Sequence, residues 1–457
     1  MDFNIVPTSQ SIPVTKGFAI AADWIIPMQQ APHSNQANNY LEKSAVVVEN
    51  DLIVDVIEQT QLQTLYPGIS VNQLGASLLL PGFVNAHCHA AMSLLRGVAD
   101  DSSLNDWLNQ HIWPLESQWV DNDFVYEGSQ LAIAEMLLGG TSCFQDSYLM
   151  PDQVAKACQQ SGIRSNIGLM VVESSNQWAQ NADECIDKGL KVFDQYKHNS
   201  RLSFSFAPHS ISKISSEALQ RLLTLSNELS LPIVMHLHET AQEITQHQHQ
   251  YQRSPLESLQ QLGLLSPLFN AVHMTQISQK DQQLLKQFGC HVVHCPQSNM
   301  KLGSGICPVT ELLQQEINLA LGTDGAASNN SLDMLSEIKA ATLLAKLASG
   351  QSNQVSAYQI LYAATMGGAK ALGLDNTIGS LEKGKQADIL ALDMNHIETM
   401  PLYDPISQLV YSASRKQVQH LWVAGQALVK DGQLTQLNNQ QLIAQAKQWQ
   451  QKIKGSF

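Results

Sequence analysis

"PGFVNAHCHAAMSLLRGVADD", residues 81–101, begins as an apolar run that closes on two histidines, His87 and His89. Side chains alternate across a strand, so these two histidines share one face. A parallel strand that is buried on both faces reads as a continuous apolar run. The stretch therefore predicts a buried parallel strand with two imidazoles at its carboxyl end.

Seven further apolar runs follow, separated by longer helical patterns such as residues 124–139 and 151–162. With the first run they span residues 78–89, 139–147, 164–172, 201–210, 231–239, 269–274, 290–299 and 317–325. Eight strands that alternate with helices are typical of a (β/α)₈ barrel. The fold class predicted is thus α/β, with a TIM barrel at residues 79–375.

Both ends of the chain read as short strands broken by turn residues. These strand patterns are residues 18–28, 44–51, 52–59, 387–394 and 418–434. Neither end has enough strands for a stable sandwich of its own, whereas together they do. We therefore predict one small β-sandwich domain built from residues 1–78 and 376–457, the second part ending in a terminal helix.

Composition excludes several classes of partner. The net charge of −14 argues against nucleic acid or an anionic membrane, and there is no uninterrupted apolar stretch of about 18 residues for a membrane helix. Residues 1–10 lack the basic region and apolar core of a signal peptide. The seven cysteines are an odd, scattered set. They are typical of reduced thiols, so we expect a cytoplasmic protein.

Polar residues follow the apolar runs at the points where the predicted strands end. Barrels of this type carry out their chemistry at the carboxyl ends of the strands. The residues at these ends are His87, His89, Asp146, His209, His236 to Glu239, His273, His294 and Asp324. A single buried histidine is usually a satisfied core residue, but histidines at five of the eight strand ends indicate a shared site.

The histidine pairs point to a metal ion. His87 and His89 share a strand face and can bind one ion with two neutral nitrogens, and His236 and His238 repeat this spacing on the fifth run. Asp324 adds a carboxylate from the last run. Three imidazoles and a carboxylate suit Zn²⁺ or Fe²⁺ better than Mg²⁺ or Ca²⁺. The strand period alone does not choose between His236 and His238.

These motifs resemble the amidohydrolase superfamily. The similarity lies in "PGFVNAHCHAAM", "HLHET" at residues 236–240, "GTDGAASNN" at 322–330 and "GSLEKGKQADILALD" at 379–393, and it covers nearly the whole chain. Within the superfamily, residues 94–117 and 298–309 look most like the 5-methylthioadenosine/S-adenosylhomocysteine deaminases.

The resemblance implies roles for individual residues of this chain. His87, His89, His236 and Asp324 match the ligands of one divalent metal ion per subunit, Zn²⁺ in the first place and Fe²⁺ as the alternative. Glu239, His273 and Asp324 match the catalytic residues. Substrate contacts are implied for Glu116, His209, Glu239, Asp324 and Ser328. Some relatives bind two metals through a lysine at the end of strand four, but here that run ends in His209, and Lys213 lies too far along to replace it.

The activity implied is hydrolytic deamination of 5′-methylthioadenosine, S-adenosylhomocysteine or adenosine to the 6-oxopurine nucleoside and ammonia. The alternative is a related hydrolase of another heterocycle, such as guanine, an oxidised purine, a pterin or a triazine. A non-enzymatic assembly protein of this ancestry would have lost ligands, which this chain retains. The stretch after strand three, residues 168–189, contains none of the arginines found in many such deaminases, which leaves open how a homocysteine tail is held. By analogy we expect a homo-oligomer.

Overall fold

A computed structural model describes residues 17–31 and 39–456. Residues 1–10, in which we expect no signal peptide, lie outside the described residues. The strands, in chain order, are β1 (Gly17–Ile25), β2 (Leu41–Glu49), β3 (Leu52–Glu58), β4 (Ser70–Gln73), β5 (Ser77–Pro81), β6 (Phe83–Cys88), β7 (Thr141–Asp146), β8 (Arg164–Val171), β9 (Leu202–Pro208), β10 (Ile233–Leu237), β11 (Phe269–His273), β12 (His291–His294), β13 (Leu319–Leu321), β14 (Ile389–Asp393), β15 (Val418–Val423), β16 (Gln426–Lys430) and β17 (Gln433–Leu434).

The eight strands β6 to β13 form one parallel sheet in sequential order. Its two outer strands are bridged by a backbone hydrogen bond, 3.1 Å long, from Asp324 N to the carbonyl oxygen of His87. Each strand lies within one of the eight runs predicted from the sequence, so the predicted barrel is confirmed. The bridge also brings the end of β13 beside the end of β6, where the first histidine pair lies.

The remaining nine strands form the mixed sheet of the second unit. Its order is β17-β16-β15-β14-β5-β1-β2-β3, with β4 beside β1. The first half of β1 pairs with β4 and its end pairs with β5, so β1 joins two halves of the sheet. Side chains from both halves, including Ile20, Val46, Leu79, Ile389 and Trp422, share one buried core. The predicted β domain from both termini is confirmed, whereas its exact limits at 78/79 and 375/376 stay predictions.

The helices cover the barrel and connect its strands. They are α1 (Leu62–Leu65), α2 (Leu104–Asp106), α3 (Trp113–Trp119), α4 (Asn122–Leu138), α5 (Pro151–Ser161), α6 (Ala182–Tyr196), α7 (Ser216–Leu229), α8 (Ala241–Tyr251), α9 (Pro255–Gln261), α10 (Gln279–Phe288), α11 (Pro296–Leu302), α12 (Val309–Gln314), α13 (Ala326–Asn329), α14 (Met334–Ser349), α15 (Ala357–Tyr362), α16 (Gly368–Ala371), α17 (Pro405–Tyr411) and α18 (Asn439–Lys454). Local chemistry sets the starts: Asp121 caps α4 by accepting from Phe124 N at 2.8 Å. The helical patterns at 124–139 and 151–162 correspond to α4 and α5.

A buried ion pair joins the amino-terminal end of the barrel to the terminal sheet. Arg164, the first residue of β8, donates from Nε and Nη2 to the two carboxylate oxygens of Asp388 at 2.9 and 3.0 Å. Asp388 also accepts from Ala424 N at 2.8 Å. The second unit therefore lies against the end of the barrel that carries no strand-end histidines, which leaves the carboxyl ends of the strands for the site.

Candidate active site

Four of the strand-end residues meet at the centre of the barrel mouth. His236 Nε2 lies 3.1 Å from His87 Nε2 and 3.3 Å from His89 Nε2. Asp324 Oδ1 lies 3.2 Å from His89 Nε2 and 3.7 Å from His87 Nε2. One donor atom from each residue lies within 4.8 Å of all the others, and the group could hold a metal ion.

The spacing and the tautomers of the histidines fit one shared metal ion. Two donors at about 2.0–2.1 Å from one Zn²⁺ lie at most about 4.2 Å apart, and four of the donor pairs are 3.1 to 3.7 Å apart. His89 Nδ1 lies 2.6 Å from the carbonyl of Ser147, and His236 Nδ1 lies 2.7 Å from that of His209. A carbonyl only accepts, so each Nδ1 carries a proton, and Nε2 is the nitrogen that faces the centre of the group and would bind a metal.

Electrostatics in this group favour a bound cation. Burial lowers the pKa of His87 and of His236 well below the usual range, so both are neutral at pH 7, the form that binds metals. Burial alone would also lower the pKa of His89, but the Asp324 carboxylate raises it to about 9. Burial would raise the pKa of Asp324, but the histidines hold it well below its usual value. The group thus attracts positive charge to the point where the four donors converge.

Asp324 is fixed by hydrogen bonds to both of its carboxylate oxygens. Oδ1, which faces the histidines, accepts from Gly325 N at 2.8 Å. Oδ2 accepts from Ser298 Oγ at 2.7 Å and from Ser328 Oγ at 2.9 Å. The backbone of Asp324 has φ 58°, a left-handed conformation that is uncommon for a residue other than glycine. Ser328, expected to contact substrate, lines the cavity and hydrogen-bonds Asp324.

His238, the second histidine of its pair, lies outside the four-residue group. Its Nδ1 lies 2.8 Å from the carbonyl of Gln276, and its Nε2 accepts from Leu256 N at 3.2 Å. Both ring nitrogens are therefore engaged, and no lone pair remains for a metal. The positive φ of 53° at His238 breaks the strand alternation that would have placed both histidines on one face. Of the two histidines between which strand period could not choose, His236 is the one that lies in the four-residue group.

Glu239 and His273 lie beside the donor group. Glu239 Oε1 accepts from Ser304 Oγ at 3.0 Å, and Oε2 lies 3.9 Å from His273 Nε2. His273 Nδ1 is hydrogen-bonded at 2.9 Å to the side-chain oxygen of Asn299. Because that oxygen accepts, Nδ1 holds a proton, and Nε2 is the nitrogen left for the cavity. The two residues predicted to move protons thus reach the same space.

An inner cavity of about 210 Å³ opens from this group. Its polar end is formed by His89, His236, Glu239, His273 and Asp324. Its other walls are largely apolar and include Met92, Leu104, Trp107, Leu108, Ile112, Leu149, Met170, Val172 and Leu302. Residues 107–112 form a π-helical segment between α2 and α3, a feature frequent at functional sites. The cavity suits a largely apolar molecule with a few polar atoms at one end.

Glu116 and His209, the other predicted substrate contacts, line the same cavity. Glu116 Oε1 accepts from the hydroxyl of Tyr148 at 2.5 Å. Burial raises the pKa of Glu116, and this hydrogen bond opposes the shift. His209 is partly buried, and the desolvation of its ring lowers its pKa to about 4, so the ring is neutral. Neither residue lies in the donor group, and both remain available to a bound molecule.

Four contributors to the site were not singled out from the sequence: Tyr148, Ser298, Asn299 and Ser304. Each hydrogen-bonds one of the predicted residues Glu116, Asp324, His273 or Glu239. Tyr148 directly follows the second predicted run, so the strand-end rule could have indicated it. Ser298 and Asn299 lie on α11 and Ser304 lies beyond it, where that rule gives no signal. His294, in contrast, ends a strand and is buried, but does not line the cavity.

Comparison with known proteins places the chain in a family. The model of the Amidohydrolase family matches residues 78–428. A metal-dependent hydrolase is the class that the barrel and its donor group define, and the chain belongs to the amidohydrolase family.

Curated relatives match almost end to end. The chain is 43% identical over 96% of its length to a 5-methylthioadenosine/S-adenosylhomocysteine deaminase of Teredinibacter turnerae, with 98% of that protein covered. It is 41% identical over 95% of its length to the protein of the same name from Saccharophagus degradans, with 96% covered. A solved structure described as an adenosine deaminase from Xanthomonas campestris with bound zinc superposes with a TM-score of 0.93 at 40% identity, covering 97% of this chain and 100% of the other. Within residues 17–31 and 39–456, no helix is both long and apolar enough to span a membrane.

Proposed function

We propose that the protein is a metal-dependent aminohydrolase that converts an adenosine derivative to the 6-oxopurine nucleoside and ammonia. We propose 5′-methylthioadenosine as the preferred substrate, and S-adenosylhomocysteine and adenosine as related substrates. The observation that carries the proposal is the arrangement of His87, His89, His236 and Asp324 at the polar end of an otherwise apolar cavity. The names of the curated relatives support the same reaction.

The four-residue group would hold one divalent ion, for which we propose Zn²⁺, with Fe²⁺ as the alternative. When bound, such an ion supplies a Lewis acid that activates water at neutral pH. The zinc in the Xanthomonas campestris structure supports this choice. His89 and His236 are held in the required tautomer by the carbonyls of Ser147 and His209.

Three side chains of the chain handle protons in the proposed reaction. Asp324 takes a proton from the attacking water, whose oxygen forms a bond to C6 of the purine. Glu239 gives a proton to ring nitrogen N1, so that no bare anion develops there. His273 hydrogen-bonds the oxygen that becomes the 6-oxo group. The C6–N6 bond then breaks: the amine takes the proton that Asp324 holds and leaves as ammonia, and Glu239 takes up the proton of the C6 hydroxyl, which leaves the 6-oxo group. Acid–base help of this kind contributes about 10²–10⁴ in rate.

The apolar walls and Glu116 account for the rest of the substrate. A purine ring and a methylthio group bury apolar surface against the tryptophan and leucine side chains of residues 104–113. Glu116 accepts hydrogen bonds from ribose hydroxyls, oriented by the bond that it receives from Tyr148. A free base such as guanine would leave Glu116 with no hydrogen-bond donor besides Tyr148, which favours the nucleoside over the alternative heterocycles.

Location and assembly extend the proposal. All seven cysteines are free and buried, which is consistent with a reducing, cytoplasmic environment. A homo-oligomer stays a prediction that size-exclusion chromatography with light scattering would test. No nucleic acid or membrane partner is proposed.

A screen of aminated heterocycles tests the function. The Zn²⁺-loaded enzyme is assayed with 5′-methylthioadenosine, S-adenosylhomocysteine, adenosine, guanine, a pterin and an aminotriazine. Ammonia release and the change in ultraviolet absorbance of the heterocycle are both measured. We expect turnover of the three adenosine derivatives. Turnover confined to guanine, the pterin or the triazine would contradict the proposal. Absence of stoichiometric metal with no turnover would indicate the assembly protein instead.

A further inference from the structure

An outer cavity of about 410 Å³ adjoins the inner one. The two share a wall that includes Trp113, Glu116, Leu149 and His209. The outer cavity does not reach the four-residue metal group, and it extends instead past Glu116 to Ser117, Ser175, Gln177 and Lys213. A nucleoside whose ribose lies at Glu116, with its purine at the metal group, would therefore extend its 5′-substituent into the outer cavity.

Lys213 is the single lysine or arginine among the described residues that line either cavity. It ends the short 3₁₀ helix Ile211–Lys213 that follows β9, and its backbone is fixed by hydrogen bonds to Ser210 and Glu173. Its Nζ lies 5.0 Å from the centre of the Trp113 ring. Lys213 is exposed, and a cation over an indole face is stabilised there, so the ring favours a position of the ammonium beside the cavity.

Three polar side chains of the outer cavity are engaged, whereas the Lys213 ammonium pairs with no acid of the described residues. Ser175 Oγ donates to Gln180 at 3.0 Å, Asn176 Nδ2 to the carbonyl of Ser174 at 3.1 Å, and Gln177 Nε2 to the carbonyl of Ser117 at 2.9 Å. None of the ion pairs within residues 17–31 and 39–456 includes Lys213. The outer cavity is thus lined by two charged side chains: Glu116, which we assign to the ribose, and Lys213, whose positive charge is left for the 5′-substituent.

We propose that the outer cavity binds the carboxylate of a 5′-substituent on the nucleoside, and that Lys213 is the residue that selects it. This inference rests on the proposed function and names its substrate class: adenosine derivatives with an amino-acid tail, of which S-adenosylhomocysteine is one. A single ammonium matches the single charge of a carboxylate, and the serine and amide side chains around it supply neutral hydrogen-bonding surface. Lys213 lies on the loop after β9, the fourth strand of the barrel, and therefore outside the arginine-free stretch at residues 168–189.

The test compares substrates that differ only at the tail. Lys213→Gln, Lys213→Arg and the parent enzyme are assayed with 5′-methylthioadenosine, with S-adenosylhomocysteine and with its decarboxylated analogue. For Lys213→Gln we expect kcat/KM for S-adenosylhomocysteine to fall about tenfold, mostly through KM, because one charge-assisted bond is lost. The values for the other two substrates should stay within about twofold. Lys213→Arg keeps the charge and should retain most of the activity with S-adenosylhomocysteine.

Lys286→Gln is the matched control, because Lys286 is exposed on α10 and lines neither cavity. It changes the net charge equally and should leave all three substrates unaffected. Equal losses for all three substrates in Lys213→Gln, or no loss with S-adenosylhomocysteine, would overturn the inference. So would a parent enzyme that turns over 5′-methylthioadenosine but not S-adenosylhomocysteine. A parent enzyme that deaminates none of them would instead defeat the proposed function itself, so the two failures are distinguishable.

Discussion

The Nε2 atoms of His87 and His236 lie 3.1 Å apart, although the two residues are 149 positions apart in the chain. His87 is buried and His236 partly buried, both rings are neutral at pH 7, and Nδ1 of His236 already donates to the carbonyl of His209. The Nε2 of His236 is therefore an acceptor, and it faces the Nε2 of a second neutral imidazole. A cation bound by both nitrogens satisfies these atoms, which makes metal content the first quantity to measure.

Replacing His236 by Ala should abolish stoichiometric metal binding and all detectable deamination, since one of four donors is lost. Metal per subunit is measured by inductively coupled plasma mass spectrometry on the folded fraction. His238→Gln is the matched control: it changes the other histidine of the pair, whose ring nitrogens bond to Gln276 and Leu256. We expect this variant to retain its metal. Full metal occupancy in His236→Ala would remove His236 from the ligand set.

Replacing Glu239 by Gln should separate binding from chemistry. Glutamine keeps the shape and can still accept from Ser304 Oγ, which donates to Glu239 Oε1 at 3.0 Å, but it cannot transfer the proton. We expect unchanged metal content, a KM within a few-fold of the parent and a kcat lower by at least about 10²-fold. Steady-state kinetics with 5′-methylthioadenosine provide the measurement. A kcat within a few-fold of the parent would exclude Glu239 as the acid.

Replacing Glu116 by Ala should lower kcat/KM for 5′-methylthioadenosine by about one to two powers of ten, because the ribose hydroxyls lose their acceptor. With the 2′,3′-dideoxy analogue the same substitution should matter little. Tyr148→Phe is a second variant, which removes only the 2.5 Å hydrogen bond that orients Glu116. It should show a smaller loss with the same substrate dependence. Equal losses on both substrates would argue against the ribose contact and favour a free-base substrate.

Glu337 should make the stability of the protein depend on pH. It is fully buried on α14, hydrogen-bonded to Gln297 and Asn329, and burial raises its pKa from 4.5 to about 8. Between these values the folded state holds a proton that the unfolded state has lost, so this group's contribution to the free energy of unfolding declines as pH rises. The decline is about 1.4 kcal/mol per pH unit between the unfolded-state pKa of 4.5 and the folded-state pKa of about 8.

Urea unfolding of the parent and of Glu337→Gln at pH 5.5, 7 and 8.5 measures this decline as the difference between the two proteins. We expect the variant to gain stability relative to the parent as pH rises, because glutamine does not titrate. Parallel pH profiles of the two proteins would show that Glu337 does not change its protonation state between folded and unfolded forms in this range.

Replacing Arg164 by Met should destabilise the protein by about 3 kcal/mol or more, because the buried carboxylate of Asp388 loses its partner. The double variant Arg164→Met/Asp388→Asn should recover part of this loss, since the unpaired charge is then gone. Thermal or urea unfolding gives the two values. The ion pair lies at the barrel end away from the metal group, so metal content of the folded fraction should not change. A loss below about 0.5 kcal/mol would contradict this account, since that is the range of ordinary surface substitutions.

The barrel and most of the residues at its mouth could be predicted because the evidence for them is local. Apolar runs such as residues 164–172 and 201–210 reflect burial on both faces of a strand, and every barrel has its strand ends on one rim. His87, His89, His209, His273 and Asp324 were found by this rule alone. The roles implied for these residues stay predictions until the variants are measured.

The amino-acid sequence by itself determined the class of fold and the rim of the barrel on which the candidate catalytic and metal-binding side chains lie. This was possible because strand period and burial follow from the pattern of apolar and polar residues within each short segment. Only the tertiary structure decided between His236 and His238, since a left-handed turn of the backbone at His238 directs its ring to Gln276 and Leu256. The bonds of Tyr148 to Glu116 and of Asn299 to His273, and the placing of Lys213 over Trp113, likewise join elements far apart in the chain. Such contacts depend on how whole strands and loops pack together, and no periodicity within a single segment encodes them.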